Sequence, residues 1–332
     1  MSRTARETTA SSVSAGGRPD RVTLLAFVAL IFMVGINAAA VKTTIQELAP
    51  LWSGGIRFAA AALLLGAVVL VRRQPFPRGR ALVGVLLFGG LSFAGFFAFA
   101  YLGIKRLPVS VAGVVFASVP LLTFVAAVLH GLESFRWLTL AGALLAVAGI
   151  AIMVGGPGSG APSLLGLSAM FAAGVCAAEA AVIAKRFPPV SPLMMNALGM
   201  TIGAVFLLLL SFAWGEPHEI PRRAPTWLGL SYLVLIGSIA TFVTYLFVLR
   251  RWTASGASYE FVLAPIVAAG FAAIFQGERI GLGIIFGGVL VLAGVYIGAL
   301  LHIGKQREPR AAPESEERPE MVGVPADCVR CP

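Results

Sequence analysis

Charge is scarce in this sequence. Only 12% of its 332 residues are Asp, Glu, Lys or Arg, while 58% are apolar. A water-soluble domain needs more polar side chains to cover its surface, so the shortage excludes an ordinary soluble enzyme or binding module. Histidine and cysteine are rarer still, with three of each. His130, His218 and His302 fall near the ends of apolar runs, which leaves no ligand set for an intramembrane zinc ion and no histidine-based triad. Cys176 stands alone, and Cys328 and Cys331 make a single C-x-x-C in the C-terminal tail, too few ligands for a metal site. A Gly-x-x-x-x-Gly-Lys-Ser/Thr segment is missing, which argues against direct ATP hydrolysis. These shortages predict a protein that is not an enzyme and uses no cofactor or metal.

Long apolar runs are what the chain has instead, and its mean hydropathy is +0.90. Crossing a hydrocarbon layer about 30 Å thick takes roughly 20 apolar residues in a helix. Runs of that kind begin near Val22, Leu51, Ala81, Val109, Arg136, Pro162, Ser191, Thr226, Ala254 and Gly281. Arg72-Arg73-Gln74-Pro75, Gly155-Gly156-Pro157-Gly158 and Glu216-Pro217 punctuate them. The runs are apolar on all sides and lack the alternation of a lipid-facing strand. The expected fold is therefore an all-α integral membrane protein with ten transmembrane helices. Polar tails, residues 1–20 and 305–332, flank this unit without enough apolar surface to fold alone. The first run ends in Asn37-Ala38-Ala39-Ala40, small residues of the kind a signal peptidase cleaves, but it is longer than a signal peptide's apolar region and reads as a retained span.

The net charge of +10 reads as topology rather than as a nucleic-acid surface. With the N-terminus inside, the cytoplasmic connections hold Arg72, Arg73, Arg78, Arg80, Arg136, Lys185, Arg186, Arg250 and Arg251. The outer ones hold only Lys42, Lys105, Arg106, Arg222, Arg223 and Arg279. A multi-pass protein of the cell membrane with both termini cytoplasmic is expected.

The chain also resembles itself. A shift of 145 residues, the difference between Arg106 and Arg251, lays Tyr101–Ile152 over Leu246–Ile297 without gaps. Ser110, Ala112, Phe116, Pro120, Ala127 and Glu133 then meet Ser255, Ala257, Phe261, Pro265, Ala272 and Glu278. Gly142, Leu145, Ala148, Gly149 and Ile152 meet Gly287, Leu290, Ala293, Gly294 and Ile297. Two repeats follow, residues 21–156 with spans one to five and residues 157–304 with spans six to ten. Five is odd, so the second repeat enters the membrane in the opposite sense, an inverted arrangement that recurs in secondary transporters. Pro120 and Pro265 stand near the middles of the fourth and ninth spans. Proline there removes a backbone donor and leaves the carbonyls of Phe116 and Phe261 unpaired, which either bends the helix beside a cavity or improves its packing.

Four features resemble the EamA-type members of the drug/metabolite transporter superfamily over roughly Val22 to Ile303. They are Gly35 to Lys42 closing the first span, Pro50 followed by Arg57-Phe58, Ser118-Val119-Pro120 followed by Gly131-Leu132-Glu133, and Ala264-Pro265 followed by Gly277-Glu278-Arg279. The halves depart from each other where Ser134 stands opposite Arg279 and where Gly199 lies near the counterpart of Arg57. The resemblance implies a ten-span secondary transporter that exports or exchanges amino acids, nucleobases, cofactors or toxic metabolites, often with an ion gradient.

Ionisable groups at hydrocarbon depth are expensive, so each is a candidate for function. Arg57 can hold a carboxylate-bearing substrate through a bidentate pair, or anchor helices, a role the resemblance favours. Glu179 and Glu260 lie at similar depth near a cytoplasmic end and suit a shared proton, an ion, or a cationic ligand. Asn37 and Asn196 can read a polar ligand or link helices. Trp52, Phe93, Phe96, Phe97 and Tyr101 can line a cavity or pack. Glu133 and Glu278 fall at span ends and read as caps on the following helices. Gly199-x-x-x-Gly203 and Gly283-x-x-x-Gly287 allow close helix approach, within one chain or in a homodimer. The expected partners are a small polar or amphipathic substrate, an amino acid or similar, and the lipid bilayer. A non-transporting subunit of a larger assembly is the competing expectation.

Overall fold

The computed structural model describes residues 20–107, 115–154, 163–276 and 282–300. Among the described residues all regular structure is helical. The first half supplies α1 (Arg21–Thr44), α2 (Pro50–Val71), α3 (Arg80–Ile104), α4 (Val119–Leu129) and α5 (Trp137–Val154). The second supplies α6 (Leu164–Arg186), α7 (Pro192–Ala213), α8 (Ala224–Arg251), α9 (Glu260–Gln276) and α10 (Leu282–Val295). Six of these, α1, α2, α3, α6, α7 and α8, are long and apolar enough to cross a membrane, and shorter apolar stretches lie in α4, α5 and α10. Ser110, Glu278, Arg279, His302, Cys328 and Cys331, together with nearly all of both tails, lie outside the described residues.

Local chemistry sets the helix ends. Asp20, Ser163 and Ser191 accept backbone N–H groups at the starts of α1, α6 and α7, a cap that stabilises a helix by about 1 kcal/mol. Pro50 and Pro192 open α2 and α7, where a missing N–H costs nothing. Three helices stop in the same way. After α2, α4 and α7 the chain turns through a left-handed residue, Arg73 (φ 47°), Gly131 (φ 69°) and Gly215 (φ 63°). The following N–H closes on the carbonyl five residues back, Gln74 on Val69 at 3.2 Å, Leu132 on Ala127 at 2.8 Å and Glu216 on Ser211 at 3.0 Å.

The two prolines behave differently. Pro265 lies inside α9, as the sequence suggests. Pro120 instead stands in the first turn of α4, after a break at Ser118, whose hydroxyl donates to the Val115 carbonyl at 2.6 Å. The first turn of a helix has no donor for proline to remove, so the chain restarts a helix there rather than bending one.

Helix packing respects the repeat. α2 lies along α7, α5 along α10, α6 against α3 and α4, and α1 against α8 and α9. Exchanging each helix for its counterpart five places on returns the same set of pairs. Contacts between α5 and α10 show the direction. A β-carbon on Gly142 would stand 2.6 Å from the Gly294 carbonyl, and one on Gly149 would stand 2.7 Å from the Gly287 carbonyl. Numbers rise along one helix as they fall along the other, so the pair is antiparallel. Gly142 and Gly287 are repeat counterparts, as are Gly149 and Gly294, so the contact is self-complementary. Gly199 and Gly203 likewise pack inside the chain, against Gly89 and Phe93 of α3.

Both halves also carry a wide π-type turn at the same place. It spans Gly90–Gly95 in α3 and Leu235–Ala240 in α8, again 145 residues apart. Phe116 and Phe261, a third equivalent pair, face each other with ring centroids 6.2 Å apart. Backbone against backbone leaves the α5–α10 glycines nowhere to yield. Gly142→Ala or Gly149→Ala is therefore expected to cost about 1–3 kcal/mol in thermal unfolding of the purified protein. Gly66→Ala, where a β-carbon meets nothing within 4 Å, is expected to leave the midpoint unchanged.

Candidate functional site

Arg57 is the largest fully buried side chain among the described residues, 1% exposed, and sits two turns into α2. A guanidinium in hydrocarbon needs partners for its donors and its charge. The π-type turn of α8 supplies part of this. Nε donates to the Ser238 hydroxyl at 2.9 Å and Nη2 to the Gly237 carbonyl at 3.4 Å. Phe58 and Phe97 lie against the cation, 4.7 and 5.3 Å from the central carbon to the ring centroids. Tyr101 extends this aromatic wall beyond Phe97, at 6.2 Å between centroids. Asn37 of α1 approaches Gly237 so closely that a β-carbon there would overlap its Oδ1, and that oxygen is buried without a hydrogen-bond partner among the described residues.

Among the described residues no carboxylate joins this group. The ion pairs among the described residues are Lys105–Glu216, His130–Glu179 and Arg223–Glu47, all elsewhere. The geometry thus leaves a buried cation, an amide oxygen without a partner among the described residues, and an aromatic wall on three helices.

The remaining sequence candidates lie elsewhere. Trp52 sits near the start of α2, where its backbone N–H donates to Glu216 at 3.0 Å and its indole N–H to the Glu219 carbonyl at 2.8 Å. Phe212 and His218 flank its ring. Asn196, one turn into α7, is fully buried with neither amide atom partnered among the described residues. Glu260, the first residue of α9, is 7% exposed and its Oε2 has no partner among the described residues. Glu179 faces His130 at 3.7 Å, and no described bond links it to Glu260. Phe96 packs on Phe116 and Phe261.

Two sets of ties join the halves, one at each end of the bundle. At one end Glu133 accepts the Ser255 N–H at 3.1 Å and its hydroxyl at 2.6 Å. The expected cap on its own following helix is replaced by a cap on the short turn Ala254–Ser258 of the other half, because that turn presents both donors. Beside it, within the second half, Lys185 donates to the carbonyls of Leu249 and Trp252 at 2.8 and 2.6 Å. At the other end two acids that the sequence did not single out do the joining. Glu216 accepts from Trp52, from Ser211 at 3.0 Å and from Lys105 at 3.4 Å. Glu47 accepts the Arg222 N–H at 2.6 Å, the Arg223 N–H at 3.3 Å and the Thr226 hydroxyl. Acids in short loops are common, and partners more than 100 residues away leave no local signal.

The Thr226 hydroxyl and the Arg222 N–H hold the Glu47 carboxyl below its ordinary range. A lowered folded value means the tie contributes fully above the ordinary glutamate range and is lost as pH falls through the lowered value. Glu47→Gln is expected to lower the thermal midpoint at neutral pH and to flatten its fall on acidification, measured by unfolding across pH 3–7, roughly the glutamate range.

Comparison with known proteins fits this architecture. Residues 21–155 and 164–299 each match the EamA-like transporter family. The inner membrane transporter YedA of Escherichia coli is 30% identical over 82% of this chain and 91% of its own length. The transporter YvbV of Bacillus subtilis is 29% identical over 82% and 89%. A Salmonella typhimurium protein named "Probable amino-acid metabolite efflux pump" is 26% identical over 82% and 93%. A solved crystal structure, 20% identical, covers 85% of this chain and 99% of its own with a TM-score of 0.74, which speaks for the fold. The fold and site define a multi-pass membrane protein of duplicated helical design. The chain belongs to the EamA-like transporter family of the drug/metabolite transporter superfamily, and is a transporter rather than an enzyme.

Proposed function

We propose that the protein is a secondary carrier that exports a small polar or amphipathic metabolite bearing a carboxylate, an amino acid or similar, across the cell membrane. Ten spans form two inverted five-helix repeats, both termini are cytoplasmic, and the halves rock about the Phe116–Phe261 contact between inward-open and outward-open forms. The observation that carries this reading is the buried Arg57 with a hydroxyl, a carbonyl and two aromatic faces around it and, among the described residues, no carboxylate. A substrate carboxylate supplies the missing countercharge and the unpaired Asn37 oxygen accepts from its polar part. The antiparallel, self-complementary α5–α10 contact supports inversion of the repeats, and the name of the Salmonella relative supports the substrate class and direction. Glu260 provides the coupling group, a buried carboxyl with one oxygen free to take up and release a proton.

Untargeted comparison of medium and cytosol in cells expressing the unmodified chain is expected to show one class of carboxylate-bearing compound accumulating outside. In proteoliposomes containing only this protein, Arg57→Gln is expected to raise the KM for that compound about tenfold or more, the 1.5–3 kcal/mol of a charge-assisted bond, while leaving its neutral amide analogue unaffected. Equal loss for acid and amide would make Arg57 a structural anchor, and flux absent from the purified chain would favour the subunit reading. Glu260→Gln is expected to abolish uptake driven by a pH gradient but retain exchange of the compound across the vesicle.

A further inference from the structure

Away from the central site, α2 and α7 leave a groove of about 520 Å³ on the surface of the bundle, a size that suits a ligand. Ala62, Leu70, Met194 and Leu198 line it with apolar surface. Thr201 spends its hydroxyl on the Ala197 carbonyl of its own helix at 2.8 Å. Gly66 keeps the groove open, since a β-carbon there meets nothing within 4 Å. The mouth is polar. Arg73 stands there exposed, beside Gln74, which is tied to α7 by the Ser191 hydroxyl. The connection beyond it carries Arg72, Arg78 and Arg80 and no acid between Val71 and Arg80.

Arg73 is also the residue at which the backbone is least comfortable. It holds φ 47°, a left-handed conformation that disfavours any β-carbon. The matching helix α7, also 22 residues long and also opened by proline, places Gly215 at this turn, and α4 places Gly131 there. Glycine satisfies the turn better, so the arginine is there for its side chain, which overlooks the groove.

We propose that this groove binds an anionic phospholipid of the leaflet facing the α2–α3 connection. An acyl chain lies along Leu70, Gly66 and Leu198, and the headgroup phosphate pairs with the Arg73 guanidinium. The basic, acid-free mouth selects the anionic headgroup, and the dry walls select the chain. The proposal stands apart from the transport reading, because neither Arg57 nor Glu260 lines the groove.

Native mass spectrometry of the purified full chain, titrated with phosphatidylglycerol and with phosphatidylcholine of the same acyl chains, tests it. The unmodified chain is expected to bind phosphatidylglycerol more tightly. Arg73→Gly relieves the left-handed turn, so its thermal midpoint is expected to hold or rise while phosphatidylglycerol affinity drops about fivefold and phosphatidylcholine affinity does not change. Arg73→Asn, which also tolerates this conformation, is expected to behave alike. Gly66→Leu, filling the groove, is expected to weaken both lipids. Equal affinity of the unmodified chain for the two lipids, unchanged phosphatidylglycerol binding in either Arg73 variant, or unchanged binding in Gly66→Leu overturns the proposal. So does a dimer that carries no lipid and dissociates in Gly66→Leu, which would make a second copy the occupant.

Discussion

Hydrocarbon offers no hydrogen bonds, and the arrangement around Arg57 follows from that one constraint. Water would satisfy a guanidinium at little cost, but here the protein must supply every partner. A regular α-helix has none to give, because its carbonyls are already engaged. The π-type turn in α8 brings the Gly237 carbonyl and the Ser238 hydroxyl to Arg57. One turn later Thr241 donates both its N–H and its hydroxyl to the Ile236 carbonyl, the hydroxyl at 2.7 Å. The glycine at the turn then admits Asn37 from α1. Three helices are thereby drawn to one point by the needs of one side chain.

Self-complementary packing does the corresponding work for the scaffold. Duplicated chains fold into a pseudo-symmetric bundle only if each half presents a surface that fits its own copy. The glycines of α5 and α10 meet that requirement by removing side chains altogether, and the contact is then dominated by van der Waals fit between backbones. Elsewhere, Phe116 and Phe261 meet it with bulk instead. Small residues let the backbones meet at the α5–α10 seam, while tilted rings fill the Phe116–Phe261 contact.

Much of this was legible in the sequence because hydrocarbon imposes long apolar runs and duplication leaves identities at constant spacing. The helical class, the family and the pairing of Gly142, Gly149, Gly287 and Gly294 across the repeat all follow from those two signals. Arg57 was legible as an oddity, an arginine in an apolar run. Its partners were not, since Ser238 is an ordinary small residue about 180 positions away and nothing local marks a π-type turn. Trp52 was grouped with cavity residues because an aromatic at a span end looks the same whether it faces a cavity or a loop. Glu133 was visible as an acid at a span end, but the choice between capping its own chain and capping the opposite half depends on tertiary approach alone. Nothing local marks Glu47 or Glu216 as a tie between the halves, because loop acids are usually solvated.

The matched π-type turns say something about history. Such a turn is one residue wider than a regular helical turn, and that extra residue rotates everything beyond it by about 100°. Two independent insertions would have to fall at Gly90–Gly95 and Leu235–Ala240, the same place in each half, to yield the spacing seen here. A single insertion in a five-helix ancestor, copied when the gene doubled, needs no coincidence. The two turns have since diverged in use, for only the one in α8 carries the Gly237-Ser238 pair that meets Arg57. Its counterpart in α3 carries Ser92 and Phe93, and Phe93 now fills the space against Gly199 and Gly203. An inherited irregularity became a polar socket in one copy and a packing joint in the other.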